Sequence, residues 1–514
     1  MTSPDLTRLT RMQTVLFNAG WNMLGRIGPV AVALLVTPPL IARLGLARWG
    51  VLTIALSLIG TFGIFDFGLG RALTRAIAER IAEGREKESA TLVLTGMLAL
   101  GLFGLVGGGI AAFGVHLWVY HGLKIVADLR HQTVVAMWIL CATAPLVMIN
   151  AAMWGVMSAY QAFRTANLIN IPISIMYYLG PLLIVQVWNS LVGVMLMLAL
   201  CRVAMTVGYG WVCLRIMPTL FTARPAFSLL RPLFRIGGWM TLSNLMFPIL
   251  SYMDRFMIAT VLSAAVTGYY TTAFDVVARL SMITMAVTST AYPAMAASWR
   301  NDTSATTALY RNSIQTVVGL LFPFCLLGAL FSHDILSLWV GSDFARHSTL
   351  IMKCLSIGVF FFGIDAVAAG FLDGIGRADL NAILSVMEVM IYIPLLLVFL
   401  HWFGVNGAAF AWASRSIMDC VVRIALGIRL YQWLAQVVRH LVPTAAIGLG
   451  TMLLALPQTG HLTSCLIGAA GLIGFYMVLW MHGLAESERA YARNAVVRAW
   501  ITGRQSMRWP RSAG

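Results

Sequence analysis

Runs of about twenty apolar residues recur from one end of this chain to the other, separated by gaps too short to fold alone. A helix needs about 20 apolar residues to cross a bilayer. Windows of that kind fall near 14–42, 47–70, 90–115, 132–158, 166–188, 190–213, 233–261, 265–294, 312–331, 347–371, 378–400, 403–424, 436–455 and 462–483. The pattern predicts an all-α integral membrane protein of about 14 transmembrane helices. Composition agrees: of 514 residues 60% are hydrophobic and 11% charged, where a soluble domain carries about 25% charged. The net charge of +16 would suggest nucleic acid in a soluble domain. Here the basic residues sit in the gaps between apolar runs, and no nucleic-acid motif is present.

Their distribution predicts topology, because cytoplasmic loops carry the excess of lysine and arginine. With the N-terminus in the cytoplasm, the inner gaps hold Arg8, Arg11, Arg71, Arg75, Arg80, Arg85, Lys87, Arg164, Arg215, Arg224, Arg231, Arg235, Arg300, Arg311, Arg377, Arg423, Arg429 and Arg439. The outer gaps hold only Arg43, Arg48, Lys124, Arg130, Arg346 and Lys353. Both termini are therefore expected inside, and the even span count follows. The first apolar run exceeds a signal-peptide core and lacks a small-residue cleavage site, so it is expected to remain as a membrane helix. The basic tail from Ala485 to Gly514 reads equally as an amphipathic helix on the anionic leaflet or as a solvated segment that fixes topology.

An internal repeat is visible. Leu16-Phe17 with Gly20-Trp21 recurs as Leu233-Phe234 with Gly237-Gly238-Trp239, and Arg164, Asn167, Pro181-Leu182-Leu183 and Gly193 recur as Arg377, Asn381, Pro394-Leu395-Leu396 and Gly407. The spacing predicts two six-helix lobes, 1–214 and 215–430, in parallel pseudo-repeat, then two more helices within 431–484 and the tail 485–514. A parallel repeat places a substrate cleft between its halves.

No nucleotide-binding loop, metalloprotease helix, serine-nucleophile elbow or Cys/His cluster occurs, so neither ATP hydrolysis nor a cofactor or metal site is expected. The seven cysteines are scattered through apolar runs and read as small core residues. What remains is charge at membrane depth, which is costly and functional by default. Arg26 lies in Gly25-Arg26-Ile27-Gly28-Pro29, a sequence suited to a locally broken helix that holds an anion, or to a structural pair with a carboxylate. Asp254 and Arg255 sit in one apolar run, Asp275 and Arg279 in the next, with a very short connection near Ser263 and Ala264. They form either an ion-pair network, helped by the i,i+4 spacing of Asp275 and Arg279, or an arginine-lined wall able to hold pyrophosphate or carboxylate. Asp66 reads as a salt-bridged helix end. Asp365 and Glu388 are deeper and isolated in sequence, and read as proton carriers or protonated structural groups. Tyr177-Tyr178 and Tyr269-Tyr270 read as interfacial tyrosines rather than sugar-stacking pairs, and Gly107-Gly108-Gly109 as close helix packing.

These residues resemble a known family. PLIARLGLARWGVLTIALSLIGTFGIFDFGLGRALTRAIAE is similar to the first helical hairpin of polysaccharide-biosynthesis transporters, the O-antigen flippase (Wzx-like) group. MDRFMIATVLSAAVTGYYTTAFDVVARL resembles their seventh and eighth helices, and VNGAAFAWASRS the start of their twelfth. The resemblance covers roughly residues 14–430 and is shared in outline with the multidrug/oligosaccharidyl-lipid/polysaccharide superfamily. It implies a two-lobe, alternating-access transporter that carries isoprenoid-linked sugar across a bacterial inner membrane, with a cationic cavity matched here by Arg26, Arg255 and Arg279. It does not locate the coupling-ion residues. The implied partners are the lipid-linked oligosaccharide, the bilayer and a polysaccharide polymerase. A cation-coupled drug or metabolite exporter on the same fold is the alternative, weakened by arginines beside the acids. A membrane polymerase or ligase would need a large external loop, which is missing.

Overall fold

In hydrocarbon a backbone N–H or C=O has no water to bond, so an apolar run becomes a helix. The computed structural model describes residues 12–62, 73–74, 76–77, 80–81, 86–299, 302–457 and 460–483, and within them every regular element is helical. In chain order these are α1 (Met12–Leu44), α2 (Leu46–Thr61), α3 (Glu86–Leu117), α4 (Ala127–Ala142), α5 (Ala144–Ala159), α6 (Phe163–Val187), α7 (Leu191–Ile216), α8 (Leu230–Val261), α9 (Ala264–Ala278), α10 (Ser281–Ser298), α11 (Thr303–Leu330), α12 (Ser332–Trp339), α13 (Ser342–Gly374), α14 (Ala378–Phe403), α15 (Val405–Leu430), α16 (Leu434–Leu454) and α17 (His461–Val478). Among the described residues nine helices are long and apolar enough to cross a membrane. The protein is an all-helical, multi-pass membrane protein. Helix α15 fails that test because Arg415, Asp419 and Arg423 lie within it.

Helix covers the described part of each predicted run, but two runs are broken. The 132–158 run is two helices that meet at Thr143, with Pro145 in the first turn of the second. Proline has no N–H to give the preceding turn and fits only at a helix start. The 265–294 run is divided at Arg279 and Leu280, where Arg279 N–H bonds Val276 O and Met282 N–H bonds Arg279 O. Six of the cysteines are buried as expected, while Cys465 is exposed.

Two compact units divide the chain. Unit 1 comprises Met1–Ala273, Leu336–Ser348 and Ala378–Ala411, and unit 2 comprises Phe274–Ile335, Thr349–Arg377 and Trp412–Gly514. In unit 1, α1 lies along α6, α6 along α7, α3 along α5, and α8 along α14. In unit 2, α10 lies along α11, and α16 along α17.

Lipid is as apolar as leucine, so these helices associate through close contact and interhelical hydrogen bonds rather than through expulsion of water. The outward faces show it: Leu196, Leu200, Val203, Val207 and Trp211 form an exposed apolar stripe on α7. Inside unit 1, Gly50 of α2 is so close to α9 that a Cβ there would sit 1.8 Å from the Ala264 carbonyl oxygen. One residue back, Trp49 Nε1 donates to Thr272 Oγ1 at 3.0 Å. In unit 2, Phe322 stacks on Phe475 at 3.7 Å between centroids, and Tyr476 Oη donates to Gly319 O at 2.7 Å. Lys353 is buried within α13, not in an outer gap, and its ammonium donates to the carbonyls of Ala455, Leu456 and Pro457 at 2.7, 3.1 and 3.1 Å. Those oxygens lie at the end of α16, where the helix has run out of its own donors, and a cation is the stable cap.

The Gly50 contact makes a sharp prediction. Gly50→Ala is expected to lower stability by about 1–3 kcal/mol, because a backbone carbonyl cannot step aside as a side chain can. Gly109→Ala, with nothing within 4 Å of its Cβ, is expected to have little effect. Thermal unfolding of both purified variants in detergent checks this, and equal midpoints would refute it.

Candidate functional site

The expected charges divide between the units. Asp254 and Arg255 of α8 belong to unit 1, whereas Asp275 of α9 and Arg279 in the turn after it belong to unit 2. Arg279 lies one residue past the end of α9, so the turn rather than a regular helical face positions it. Asp275 and Arg279 are both half-buried. The backbone of Arg26 is part of α1, but its side chain lies outside the described residues, as do Asp66 and the basic tail.

In unit 1 the structure builds a cluster around Asp254, which is 1% exposed. One carboxylate oxygen accepts the Arg255 backbone N–H at 2.8 Å, and the other accepts the hydroxyl of Tyr270 at 2.5 Å. Tyr270, indistinguishable from Tyr269 by sequence pattern, is fully buried on α9 and ties that helix to α8. Arg255 points to α2: its Nη1 donates to Ser57 Oγ at 3.4 Å. The Tyr252 ring, three residues earlier on the same helix, lies 5.3 Å from its guanidinium carbon. That ring lies directly on Gly60 of α2, where a Cβ would meet it at 2.3 Å. Glu388 is buried on α14, the helix that runs along α8. Three helices thus converge on one Asp–Arg–Tyr group, and a fourth brings a carboxylate into the same bundle.

In unit 2 the deciding contact is one the sequence did not reveal. Asp365 of α13 is not an isolated carboxylate: Arg423 of α15 donates to its Oδ2, and both residues are buried. The sequence pattern places Arg423 in a cytoplasmic gap, because an arginine near a run's end usually marks a loop. Helix α15 extends to Leu430 and carries it inward, and an ion pair offsets what burial costs the charge. Arg415, eight residues earlier on α15, is also buried, with Trp412 at 5.6 Å from its guanidinium carbon.

A further intramembrane arginine escaped sequence reading. Arg202 lies near the middle of α7, half-buried, with Tyr177 of α6 below its guanidinium at 5.0 Å and the Tyr177 hydroxyl at 3.5 Å. The available signal was its place inside an apolar run almost devoid of acids. Tyr177 therefore has a cationic partner.

Among the described residues, no group of three or more His, Cys, Asp or Glu could hold a metal ion. The arrangement can hold charge at depth and bind an ionic solute.

Comparison with known proteins gives the identity of the fold. The family model described as "Polysaccharide biosynthesis protein" matches residues 15–299. The chain belongs to that family. A curated relative, a putative O-antigen transporter of Shigella flexneri, is 25% identical over 439 residues, covering 82% of this chain and 97% of the relative. Among solved structures, a multidrug resistance MATE family transporter of the MOP superfamily in an inward-facing conformation superposes with a TM-score of 0.66 at 14% identity, over 79% of this chain and 96% of that one. The lipid II flippase MurJ in an inward closed conformation gives a TM-score of 0.65 at 11% identity, over 90% and 99%. These two establish the fold, and the family is one of membrane transporters, not enzymes.

The Asp365–Arg423 pair yields a second prediction. Asp365→Leu leaves a buried guanidinium without its carboxylate and is expected to destabilise by about 3 kcal/mol. The double change Asp365→Leu with Arg423→Met is expected to recover most of that loss. A double-mutant cycle on unfolding midpoints measures it; a double variant as unstable as the sum of its singles would show that the two side chains act independently.

Proposed function

We propose that this protein is a flippase that moves an isoprenoid-linked oligosaccharide from the inner to the outer leaflet of a bacterial inner membrane by alternating access. The observation that carries this reading is membership of the polysaccharide biosynthesis family over residues 15–299, in a fold shared with a lipid II flippase. The physical need agrees. A sugar–pyrophosphate head group cannot enter hydrocarbon without losing the hydration of its charges and hydroxyls. Buried guanidinium groups replace that hydration with fixed donors, in the planar fork geometry that suits phosphate and carboxylate. In this reading Arg26, Arg255 and Arg279 face the solute during transport, and Asp66, Asp254, Asp275, Asp365 and Glu388 balance their charge or couple transport to an ion.

We assign fourteen spans with both termini cytoplasmic, residues 1–214 and 215–430 as two copies of one six-helix unit, and two further helices within 431–484. The packing of first helix along fifth in each copy, α1 along α6 and α8 along α14, supports the repeat. A polymerase that receives the flipped product is the expected enzymatic partner. The drug-exporter alternative draws on likeness of fold to a multidrug transporter. It is disfavoured because a cationic drug needs acids to spare, and in this chain Asp254 is bonded to Tyr270 and Asp365 to Arg423.

The test is a strain lacking this chain, with surface polysaccharide and the leaflet distribution of the isoprenoid-linked precursor both measured. Loss of polymer with precursor trapped on the cytoplasmic side is expected, and restoration by the wild-type gene. Unchanged polymer without precursor build-up would overturn the proposal. In complementation, Arg255→Ala at normal expression is expected to lower polymer at least tenfold.

A further inference from the structure

We propose that Arg202, backed by Tyr177, binds the anionic part of the transported molecule within unit 1. The proposal deepens, and rests on, the transport reading above. Its basis is an imbalance of charge. Between Glu88 and Asp254 the sequence contains a single acidic residue, Asp128. That residue lies in the first turn of α4, at a helix end. Helices α1 and α2 contain no acidic residue at all. Arg202, in the middle of a helix apolar enough to span a membrane, therefore has no carboxylate on its own helix or on α5 and α6, which pack against it.

Its bonding is incomplete too. A guanidinium has five N–H donors. Among the described residues Arg202 makes one long hydrogen bond, from Nη2 to Tyr177 Oη at 3.5 Å, and its Nε is buried with no hydrogen-bond partner. The Tyr177 ring attracts the cation, but such an attraction is smaller than the cost of the charge at mid-membrane. Arg423, by contrast, is matched with Asp365. A purely structural arginine would be expected to carry a comparable internal counter-charge. Arg202 is half-buried rather than sealed in.

The chemistry fixes the class of ligand. Spare donors on a planar fork suit an oxyanion, which accepts two parallel bonds. That oxyanion is either the pyrophosphate of the lipid carrier or the carboxylate of an acidic sugar, and Tyr177 keeps the guanidinium in place for it.

The experiment uses the full chain in phosphatidylcholine nanodiscs, titrated separately with undecaprenyl pyrophosphate, undecaprenol and free glucuronate. Wild type is expected to prefer the pyrophosphate lipid over the neutral alcohol by about 10- to 100-fold, as a charge-assisted bond provides. Arg202→Gln is expected to lower that preference about tenfold, Arg202→Lys to retain more of it, and neither to change undecaprenol affinity. Arg202-dependent binding of glucuronate alone also supports the proposal and assigns the anion to the sugar. If Arg202→Gln keeps the wild-type affinity for both anions, the proposal is overturned. A measurement on wild type covers the case of a variant that does not fold. Pyrophosphate is expected to shield Arg202 from phenylglyoxal, read by peptide mass; no modification without the anion, or equal modification with it, overturns the proposal. The leaflet assay compares the wild-type chain with its absence, so a chain that passes it without Arg202-dependent binding loses this proposal alone.

Discussion

A charge or an unbonded backbone group in hydrocarbon costs several kcal/mol, and this constraint governs the whole molecule. It makes every described element a helix, and it brings most described deep charges to a partner. The Lys353 ammonium caps three carbonyls at the end of α16. Asp365 receives Arg423, and Asp254 receives a tyrosine hydroxyl and a backbone N–H. The same rule that stabilises the fold therefore marks where ionic chemistry can take place inside it.

Association of the helices needs a different cause, because lipid removes the usual hydrophobic drive between them. Small residues supply it by letting backbones approach: Gly50 against Ala264, and Gly60 under the Tyr252 ring. Aromatic stacking supplies it in unit 2, where Phe322, Phe360 and Phe475 form one cluster tying α11, α13 and α17 together. Interhelical hydrogen bonds such as Trp49 to Thr272 add direction to these contacts. In model systems such bonds contribute about 0.6 kcal/mol each on average, so they orient helices more than they drive association.

The distribution of acids connects the fold to transport. Unit 2 balances at least one deep arginine internally, whereas α1 to α7 are almost free of acids. A bundle with cations and few anions suits a solute that carries its own negative charge. The solute proposed above, a glycan on an isoprenoid pyrophosphate, is of that kind, and the chain belongs to the polysaccharide biosynthesis family.

The helical membrane fold could be read directly from the sequence. About twenty consecutive apolar residues have one stable backbone solution in a bilayer, and that solution does not depend on which neighbour each helix finds. Arg255, Asp254 and Glu388 were also visible as charges within apolar runs, because depth follows from position along a span. Their partners were not visible. Arg423 looked like a loop residue and Asp365 like a lone carboxylate until α13 and α15 were seen side by side. Tyr270 and Tyr177 looked like ordinary interfacial tyrosines until one bonded Asp254 and the other lay under Arg202. The sequence by itself determined which segments are helical and which charges are deep, since both follow from local transfer energies. The tertiary structure alone decided which charge meets which, because pairing depends on the rotation and register of helices far apart in the chain.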